Sequence, residues 1–334
     1  MLLDPVEHII SLQNLSIGYE KDRVLLSDIN LSVRPGEMVA LIGRNGTGKS
    51  TLLKSMIGLI PVLNGACYLD GVPFHTFDLG QRARKVSYVS SQLAQLPSIN
   101  VRELVSMGRM PFTGWMGKLA PGDMQMVERA LKEVQMETFV DRKLDQLSDG
   151  ERQRAMIARA LCQDTPLMVL DEPTAFLDIP NKYELIRLLS GFKDGGKSIV
   201  YSTHDLETAM HCADKIWVIH EGNILEGAPE DMGISGLYNT LFKAAGINYD
   251  EKARRFKYTS AQKGSIQLEG EPGKELLWTR STLERLGFRV HKSGPLHLLV
   301  TVEGADCRWR LTGNGVVNSF ENLYSLARFL IQEE

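Results

Sequence analysis

Alternating apolar and polar positions near the start of the chain predict antiparallel strands. Two runs carry the alternation, HIISLQNLSIGYE from His8 and LLSDINLSVRPGEMVALIG from Leu25, with turn residues between them. The second run ends in MVALI, a continuous apolar stretch typical of a strand buried on both faces. A short glycine-rich loop and a helical pattern, LLKSMIGL, come next. The pattern therefore predicts a strand, a loop and a helix in direct succession.

Farther along, helical and strand patterns alternate. NVRELVSMG and MVERALKEVQMETFVDR have apolar residues at helical spacing, and LMVL and SIVYST are apolar strands. LSDGERQRAMIARAL predicts a helix that begins at Ser148, because Ser148 and Glu151 form the S-x-x-E capping pattern. Gly150 occupies the first turn, where another residue would stabilise the helix better. It indicates close approach by another group, and helix N-termini attract anions.

A second pattern begins at about Ser265 and predicts a small α+β domain. The strands SIQLEG, FRVH, LHLLVTVEG and CRWRLTG combine with the helices KELLWTRSTLERLG and SFENLYSLARFLIQEE in the order β-α-β-β-β-α. Ser319 is the predicted start of the last helix. His291 and His297 leave open a metal pair or an ordinary surface. The predicted core consists of Leu268, Leu277, Leu283, Leu299, Val300, Leu323 and Phe329.

Composition excludes several classes of protein. With 334 residues and 43% hydrophobic content, the chain can build one large and one small domain. A net charge of -3 provides no basic field, so we expect no nucleic-acid partner. The four cysteines are far apart and suggest neither a zinc site nor a disulfide framework. The N-terminus does not resemble a signal peptide, and no apolar run approaches the roughly 18 residues of a spanning helix. We therefore expect any membrane role to act through a partner.

The glycine-rich loop predicts a phosphate site. GRNGTGKST, Gly43 to Thr51, matches G-x-x-x-x-G-K-[ST] between a predicted strand and helix. Backbone N–H groups of such a loop surround the β-phosphate, while Lys49 offers its ammonium group to the β- and γ-phosphates. Ser50 offers a hydroxyl oxygen to Mg²⁺. The alternative is a glycine-rich turn with an incidental lysine, which the flanking strand and helix make the weaker interpretation.

Two later strands end in residues suited to hydrolysis. Asp171 and Glu172 follow LMVL, and adjacent residues on a strand point to opposite faces. Asp171 is therefore predicted to hold Mg²⁺ through water, while Glu172 orients and deprotonates the attacking water. His204 follows SIVYST and can reach a γ-phosphate. A lone acidic pair at a strand end is more often only solvated, but here it accompanies a phosphate loop.

Together these motifs resemble the nucleotide-binding subunit of an ATP-binding-cassette (ABC) transporter over about residues 8 to 240. In family order, the resemblance identifies Gln92 as the Q-loop residue, LSDGE as the signature and Asp178 as the end of the D-loop. His204 matches the switch histidine, and Tyr19 matches the aromatic residue that stacks on adenine. The nucleotide-binding residues so implied are Tyr19, Gly43, Asn45, Gly46, Gly48, Lys49, Ser50, Thr51, Ser148, Gly150 and Asp178.

The resemblance implies an ATPase with ATP and Mg²⁺ as cofactors. Glu172, His204 and Gln92 are the implied catalytic residues, and Ser50, Gln92 and Asp171 the implied metal site. In this family two subunits meet head to tail, so the signature of one faces ATP held by the other. The implied homodimer explains the glycine at position 150, because the anion that approaches the start of this helix is the ATP bound to the partner subunit.

Two segments narrow the resemblance to importers of ferric siderophores, haem and cobalamin. LSDGE differs from the family's common LSGGQ at Asp149 and Glu151, and it is similar to the importer variant. MGRMPFTGWMGKLAPGD, Met107 to Asp123, resembles a region of the same importers that receives the permease. The implied partners are integral membrane permease subunits and, indirectly, a substrate-binding protein. The implied location is the cytoplasmic face of the membrane, peripheral through the permease.

The predicted fold class is α/β. It comprises a P-loop ABC ATPase domain with a RecA-like core, an antiparallel β subdomain and a helical subdomain, followed by a small C-terminal α+β domain. The predicted limits are 1–241 for the ATPase, with its helical subdomain at about 93–160, then a charged linker at 242–264 and the accessory domain at 265–334. Alternatives are another cargo, export, a soluble non-transport ABC ATPase, or a P-loop kinase. The last has no use for a signature helix.

Overall fold

The computed structural model describes residues 8–20, 23–91, 99–114, 117–175, 177–241, 247–250, 255–258, 263–291, 294–303, 306–313 and 315–332. The chain divides into two compact units, Met1–Leu237 and Tyr238–Glu334. No helix in the described part of the chain is long and apolar enough to cross a membrane.

The first unit contains two sheets. Its strands are β1 Ile10–Glu20, β2 Arg23–Val33, β3 Met38–Ile42, β4 Asn64–Leu69, β5 Val72–Pro73, β6 Val86–Val89, β7 Leu167–Leu170, β8 Ser198–Thr203, β9 Lys215–His220 and β10 Asn223–Gly227. One sheet has the order β2-β1-β4-β5 and is antiparallel. The other has the order β10-β9-β3-β8-β7-β6 and is parallel except at β10. The predicted α/β fold with an antiparallel subdomain is confirmed.

The helices of the first unit include the four that were predicted, which begin at Lys49, Val101, Pro121 and Asp149. They are α1 Lys49–Met56, α2 Leu79–Lys85, α3 Val101–Ser106, α4 Pro121–Glu133, α5 Asp149–Cys162, α6 Ile179–Asp194, α7 Leu206–Cys212 and α8 Pro229–Ile234. Helix α9, Leu237–Leu241, begins at the last residue of this unit and continues into the second. Single 3₁₀ turns occupy Phe74–Thr76, Met107–Phe112, Glu137–Phe139 and Leu144–Gln146. Helices α3, α4 and α5 pack against one another and form the helical subdomain.

Burial explains why the central strands are continuously apolar. Every residue of β3, β7 and β8 is buried, because the parallel sheet is covered on both faces. The antiparallel sheet contributes Leu15, Ile17 and Ile29 to the same core as Leu41 and other residues of the parallel sheet. The two sheets therefore pack together around one shared apolar core.

The second unit contains a two-stranded and a five-stranded sheet. Its elements are β11 Ile247–Asp250, β12 Arg255–Tyr258, β13 Gly264–Gly270, α10 Lys274–Arg285, β14 Phe288–His291, β15 Leu296–Glu303, β16 Asp306–Gly313, β17 Val316–Phe320 and α11 Leu323–Gln332. The larger sheet has the order β14-β13-β15-β16-β17. Its apolar core includes Ile266, Leu298, Trp309, Leu326 and Leu330.

The structure corrects three expectations for this unit. Ser319 lies inside β17, and α11 begins at Leu323 after Asn322, whose side chain accepts from the Ser325 N–H at 2.9 Å. Within the expected linker, β11 pairs with β12, because Tyr249 packs between Tyr238 and Phe256 with ring centroids 5.1 Å apart in each pair.

The third correction concerns the predicted core of the second unit. Leu283 and Val300 are buried as expected, whereas Leu277 is 69% exposed. Leu299 is only half-buried, while its neighbour Leu298 is fully buried. Adjacent residues of a strand face opposite sides, and the continuous apolar run of β15 does not reveal which side is inward.

Candidate functional site

Three neighbouring parallel strands bring the predicted phosphate loop and acidic pair to one edge of the sheet. β3 pairs with β8, and β8 pairs with β7, each in parallel. Their carboxyl ends therefore lie side by side and lead into Gly43, Asp171 and His204. The carboxyl edge of an open α/β sheet is where such folds bind ligands.

The loop between β3 and α1 has the backbone conformation that its glycines permit. Gly46 and Gly48 have φ of +81° and +101°, which side chains other than glycine rarely adopt. Asn45 is exposed on this loop, while Thr51 is buried in the first turn of α1. The Lys49 ammonium donates to the Gly43 carbonyl at 2.9 Å, inside the loop.

The Asp171 carboxylate lies at the centre of a hydroxyl cluster. It is 1% exposed and accepts from Ser50 at 2.9 Å, Ser202 at 2.7 Å and Ser91 at 3.3 Å. The Tyr88 hydroxyl lies 3.5 Å away. Burial, and then the nearby Asp171 carboxylate, raise the pKa of Tyr88, so its hydroxyl stays a neutral donor.

Glu172 sits between two cationic or titratable groups. Its Oε1 lies 3.5 Å from Lys49 Nζ and 3.5 Å from His204 Nδ1. Its φ is +49°, an uncommon conformation for a non-glycine residue, and its backbone N–H donates to Ser202 Oγ at 2.8 Å. The strained backbone and the Ser202 hydrogen bond together hold this carboxylate beside the loop.

Tyr19 provides an exposed aromatic surface near α1, the helix that follows the predicted phosphate loop. Its ring is 65% exposed, and its hydroxyl oxygen lies 3.1 Å from Thr51 Oγ1 within hydrogen-bond reach. The structure thus joins the predicted adenine platform to the last residue of the phosphate motif.

The signature segment forms a capped helix start. Glu151 Oε2 accepts from both the Ser148 N–H at 2.8 Å and the Ser148 hydroxyl at 2.9 Å. Asp149 Oδ1 lies 3.6 Å from Arg152 Nη1. In the described residues, no hydrogen bond joins Ser148 or Gly150 to the loop 43–51. Within one chain the structure leaves these two motifs separate.

Among the described residues of its own chain, nothing near Gly150 sterically requires a glycine. A Cβ built there meets Leu177 at 3.5 Å and Asn181 at 3.7 Å, which are ordinary contact distances. Asp178, next to this pair, caps α6 by accepting from the Asn181 N–H at 3.1 Å. The glycine is therefore explained neither by backbone conformation nor by crowding inside the chain.

Sequence reasoning missed the residues that support the acidic pair. Ser202 contacts both the Asp171 carboxylate and the Glu172 N–H, and Ser91 and Tyr88 approach Asp171 from the neighbouring chain segment. Ser202 precedes His204 by two residues at the end of β8, so its polar side chain in an apolar strand was an available signal. Gln92, predicted as a catalytic and metal-binding residue, lies outside the described residues.

A second surface surrounds Phe112 in the 3₁₀ turn Met107–Phe112. The guanidinium carbon of Arg109 lies 3.9 Å and that of Arg84 5.5 Å from the Phe112 ring centroid. Arg109 Nε donates to Asp123 Oδ1 at 2.9 Å. A hydrogen bond from the Ala120 N–H and that of Arg109 lower the pKa of Asp123. Met110 is 64% exposed beside this fixed ring. Trp115 of the same region is outside the described residues.

Comparison with known proteins gives consistent results for both units. A family profile described as ABC transporter matches residues 26–175, and one described as iron ABC transporter C-terminal domain matches residues 263–331. The chain is 38% identical over 231 residues to an iron(3+)-hydroxamate import ATP-binding protein of Bacillus subtilis, covering 67% of this chain and 85% of that protein.

Two further similarities extend this result. An achromobactin transport ATP-binding protein of Dickeya dadantii is 35% identical over 235 residues, covering 70% of this chain and 87% of that protein. The solved dimeric structure of a bacterial ABC transporter cassette aligns with a TM-score of 0.59 and 27% identity, covering 66% of this chain and 98% of that chain.

Proposed function

This chain belongs to the ABC transporter family of ATPases, and from that premise we propose that it powers import of an iron chelate or cobalamin through a membrane permease. The assembly of Lys49, Asp171, Glu172 and His204 at one sheet edge carries the proposal. Siderophores are the favoured cargo, since the chain matches an iron ABC transporter C-terminal domain and resembles ATP-binding proteins named for siderophore transport.

ATP binds, in this proposal, between the phosphate loop and the Tyr19 ring. The loop glycines let backbone N–H groups face the phosphates, and Lys49 exchanges its carbonyl contacts for the β- and γ-phosphates. Tyr19 stacks on adenine, because its ring is exposed beside α1. Gly43, Asn45, Gly46 and Gly48 shape the cradle.

The residues around Asp171 fit Mg²⁺. Ser50 and Asp171 supply hard oxygen ligands 2.9 Å apart, and the buried carboxylate has hydroxyl neighbours within hydrogen-bond distance. Ser50 would hold the ion directly and Asp171 through water, and Gln92 is proposed as a further ligand from the sequence alone. When bound, Mg²⁺ neutralises phosphate charge.

Glu172 is the proposed base. It orients a water molecule for in-line attack on the γ-phosphorus and takes its proton as the bond to the ADP oxygen breaks, releasing phosphate. His204, 3.5 Å from the same carboxylate oxygen, is placed to contact the γ-phosphate. The +49° φ of Glu172 and its Ser202 hydrogen bond support a positioned rather than a freely rotating carboxylate.

We propose that the complete site forms between two copies of the chain. Ser148 and Gly150 then face ATP bound to the other copy, where the α5 N-terminus stabilises negative charge. Gly150 supports this arrangement, since none of the described residues of its own chain explains a glycine in a helical first turn. Asp178 at the end of the D-loop is proposed to lie at the same interface.

The permease contact is proposed at the turn Met107–Phe112. Its support is the exposed Met110 side chain beside Phe112, which the Arg84 and Arg109 guanidiniums hold in place. An apolar side chain on a rigid base suits a partner helix. This contact would place the chain peripherally on the cytoplasmic face of the membrane, with a substrate-binding protein acting on the other side.

The domain limits predicted from the sequence are retained as a proposal with one change. We propose an ATPase domain at 1–241 and an accessory domain at 265–334, with the β11–β12 pair inside the intervening segment. The end of the proposed ATPase domain lies close to the boundary between the two compact units, which falls after Leu237 in the sequence.

Reconstitution tests the proposed function. The chain is coexpressed with the permease genes of its own operon, purified as a complex and placed in liposomes with ATP inside. We expect uptake of ⁵⁵Fe-siderophore from the side of the binding protein, and none with Lys49→Ala. Uptake of cobalamin but not of the siderophore would identify cobalamin as the cargo. An ATPase that hydrolyses ATP but associates with no permease would favour the soluble, non-transport alternative.

A further inference from the structure

The two edges of the five-stranded sheet differ in how they are protected. Edge strand β14 is four residues long, carries Arg289 and His291, and is followed in the sequence by Lys292. Edge strand β17, Val316 to Phe320, has the sequence VVNSF without charge or proline. Charges and short length normally prevent an edge from pairing with another chain. Only β14 has that protection.

The outer side of β17 presents backbone groups for pairing. Among the described strands, β17 pairs with β16 alone, from Gly313↔Val316 to Trp309↔Phe320. Gly313 and Val316 are separated by two residues in the sequence, so this pair is hydrogen-bonded, and antiparallel pairs alternate from there. This alternation directs the N–H and C=O groups of Val317 and Ser319 outward. Val316 and Val317 are 58% and 55% exposed.

Helix α11 extends the apolar character of this edge. The Phe320 ring of β17 packs on Phe329 of α11 with ring centroids 5.3 Å apart. Tyr324 and Ile331 of the same helix are 72% and 50% exposed. An uncharged edge strand thus lies against a helix that also exposes apolar side chains.

We propose that β17 pairs antiparallel with β17 of a second copy of this chain and joins the two sheets. Around a two-fold axis, a strand meets an identical strand, so any charge would face its own equivalent. The sequence VVNSF avoids that repulsion completely. The register of greatest overlap places Asn318 opposite Asn318 of the second copy, with Val317 opposite Ser319.

The size of this contact explains why the occupant is a second copy. A five-residue strand pair is smaller than the roughly 1,200–2,000 Å² of an independently stable interface. A second contact between the same two chains raises the effective concentration of the edges. The proposal therefore rests on the head-to-tail ATPase dimer proposed above, and it gives that dimer a contact that persists when nucleotide leaves.

Cysteine cross-linking of the full chain tests the pairing. Asn318 is a non-hydrogen-bonded position of the proposed ladder, where opposite Cα atoms lie about 4.5 Å apart, within disulfide range. Asn318→Cys is expected to yield a covalent dimer under mild oxidation, with and without ATP. The matched control is Val302→Cys, since Val302 is 42% exposed on β15, which is not an edge strand. Equal cross-linking of the two variants would overturn the proposal.

A second variant removes the pairing without removing the strand. Val317→Pro deletes one outward N–H, and proline is tolerated where an edge N–H faces away from the sheet. Added to Asn318→Cys, it is expected to lower the cross-linked fraction about fivefold or more, while the thermal melt and fluorescent-ATP binding stay unchanged. Undiminished cross-linking with an unchanged melt would contradict the ladder. If the melt collapses, Val317→Lys replaces it, with the same expected loss.

The experiments can reject the β17 pairing and the proposed ATPase function independently of each other. Ser148→Arg combined with Asn318→Cys is expected to lose ATP-driven closure and to cross-link to a smaller extent, because closure no longer raises the effective concentration of the two edges. ATP hydrolysis without cross-linking in Asn318→Cys rejects only the strand pairing. Cross-linking in a chain that neither hydrolyses ATP nor closes rejects only the proposed function.

Discussion

The two large sheets of this protein bury their residues differently. β3, β7 and β8 are buried throughout, and their functional residues collect beyond the strand ends. The C-terminal sheet buries alternate residues such as Leu298 and Val300 under two helices and leaves the positions between them less buried or exposed. A sheet covered on both faces offers its carboxyl edge for chemistry, whereas a sheet covered on one face offers a surface and edges for contacts.

The largest expected effect comes from removing the proposed base, Glu172, at the carboxyl edge of the parallel sheet. We expect Glu172→Gln to keep ATP binding and to lower turnover about 100-fold or more, because a positioned base supplies that much. Phosphate release and fluorescent-ATP binding measure the two effects. Glu230→Gln, at an exposed position of α8, is the matched control and should hydrolyse normally. Near-normal turnover in Glu172→Gln would remove this residue from the mechanism.

The next test asks whether the sheet edge is complete in one chain. Ser148→Arg should block closure while each chain still binds ATP, since the arginine adds bulk at the proposed interface. A mixed dimer of one Ser148→Arg chain and one Lys49→Ala chain distinguishes the geometries. With sites built across the dimer, both defects fall in one site and the other site stays intact. Loss of every site in the mixed dimer, measured by nucleotide trapping, would indicate sites within single chains.

A stability test addresses the alternation in the C-terminal sheet. Leu298→Ala should lower the free energy of unfolding of the second unit by about 2–5 kcal/mol, the usual cost of truncating a buried leucine. Leu299→Ala, one residue along on the other face, should cost less than about half of that. Hydrogen exchange of residues 263–332 measures both, and ATP binding should be unchanged. Equal losses would show that β15 is buried on both faces.

The smallest expected effect concerns the altered signature. The Glu151 carboxylate accepts hydrogen bonds from both the backbone N–H and the hydroxyl of Ser148. A phosphate must therefore compete with this carboxylate for the hydroxyl. Glu151→Gln keeps a capping acceptor but removes the charge, and it should lower the ATP concentration for closure about two- to fivefold. Asp149→Asn is the control, because its carboxylate lies toward Arg152. Closure is read by gel filtration in a Glu172→Gln background, and tighter closure in the control alone would contradict this role.

Much of the ATPase site was predictable because its parts are local. The loop Gly43–Thr51, the acidic pair and the helix cap at Ser148 each depend on residues close in sequence. Ser202 was recognisable as a polar residue in an apolar strand, but its contact with Asp171 and that of Ser91 were not predictable, since both depend on the pairing of parallel strands far apart in the chain. Local sequence motifs identify the residues predicted to react, whereas the order of the strands in the sheet determines which hydroxyl groups contact them.

In the C-terminal unit, prediction succeeded for element type and failed for position. Four strands and two helices were located, but β17 was missed, and its last two residues, Ser319 and Phe320, were assigned to the start of a helix. A serine before an apolar run is a cap signal, yet VVNSF has equal claim to be a strand once β16 is available to pair with it. Tertiary pairing decided between two locally acceptable conformations.

The sequence by itself determined the family, the nucleotide motifs and the order of most elements, because glycine conformations, capping patterns and apolar periodicity act over a few residues. Only the tertiary structure decided which side of β15 is inward, that the expected linker contains a strand pair, and that β17 is an unprotected edge. The first and third depend on which other segments of the chain cover a strand, whereas the strand pair depends on the packing of Tyr249 between Tyr238 and Phe256. Burial and hydrogen bonding between segments far apart in the chain supply that free energy, and no local pattern contains it.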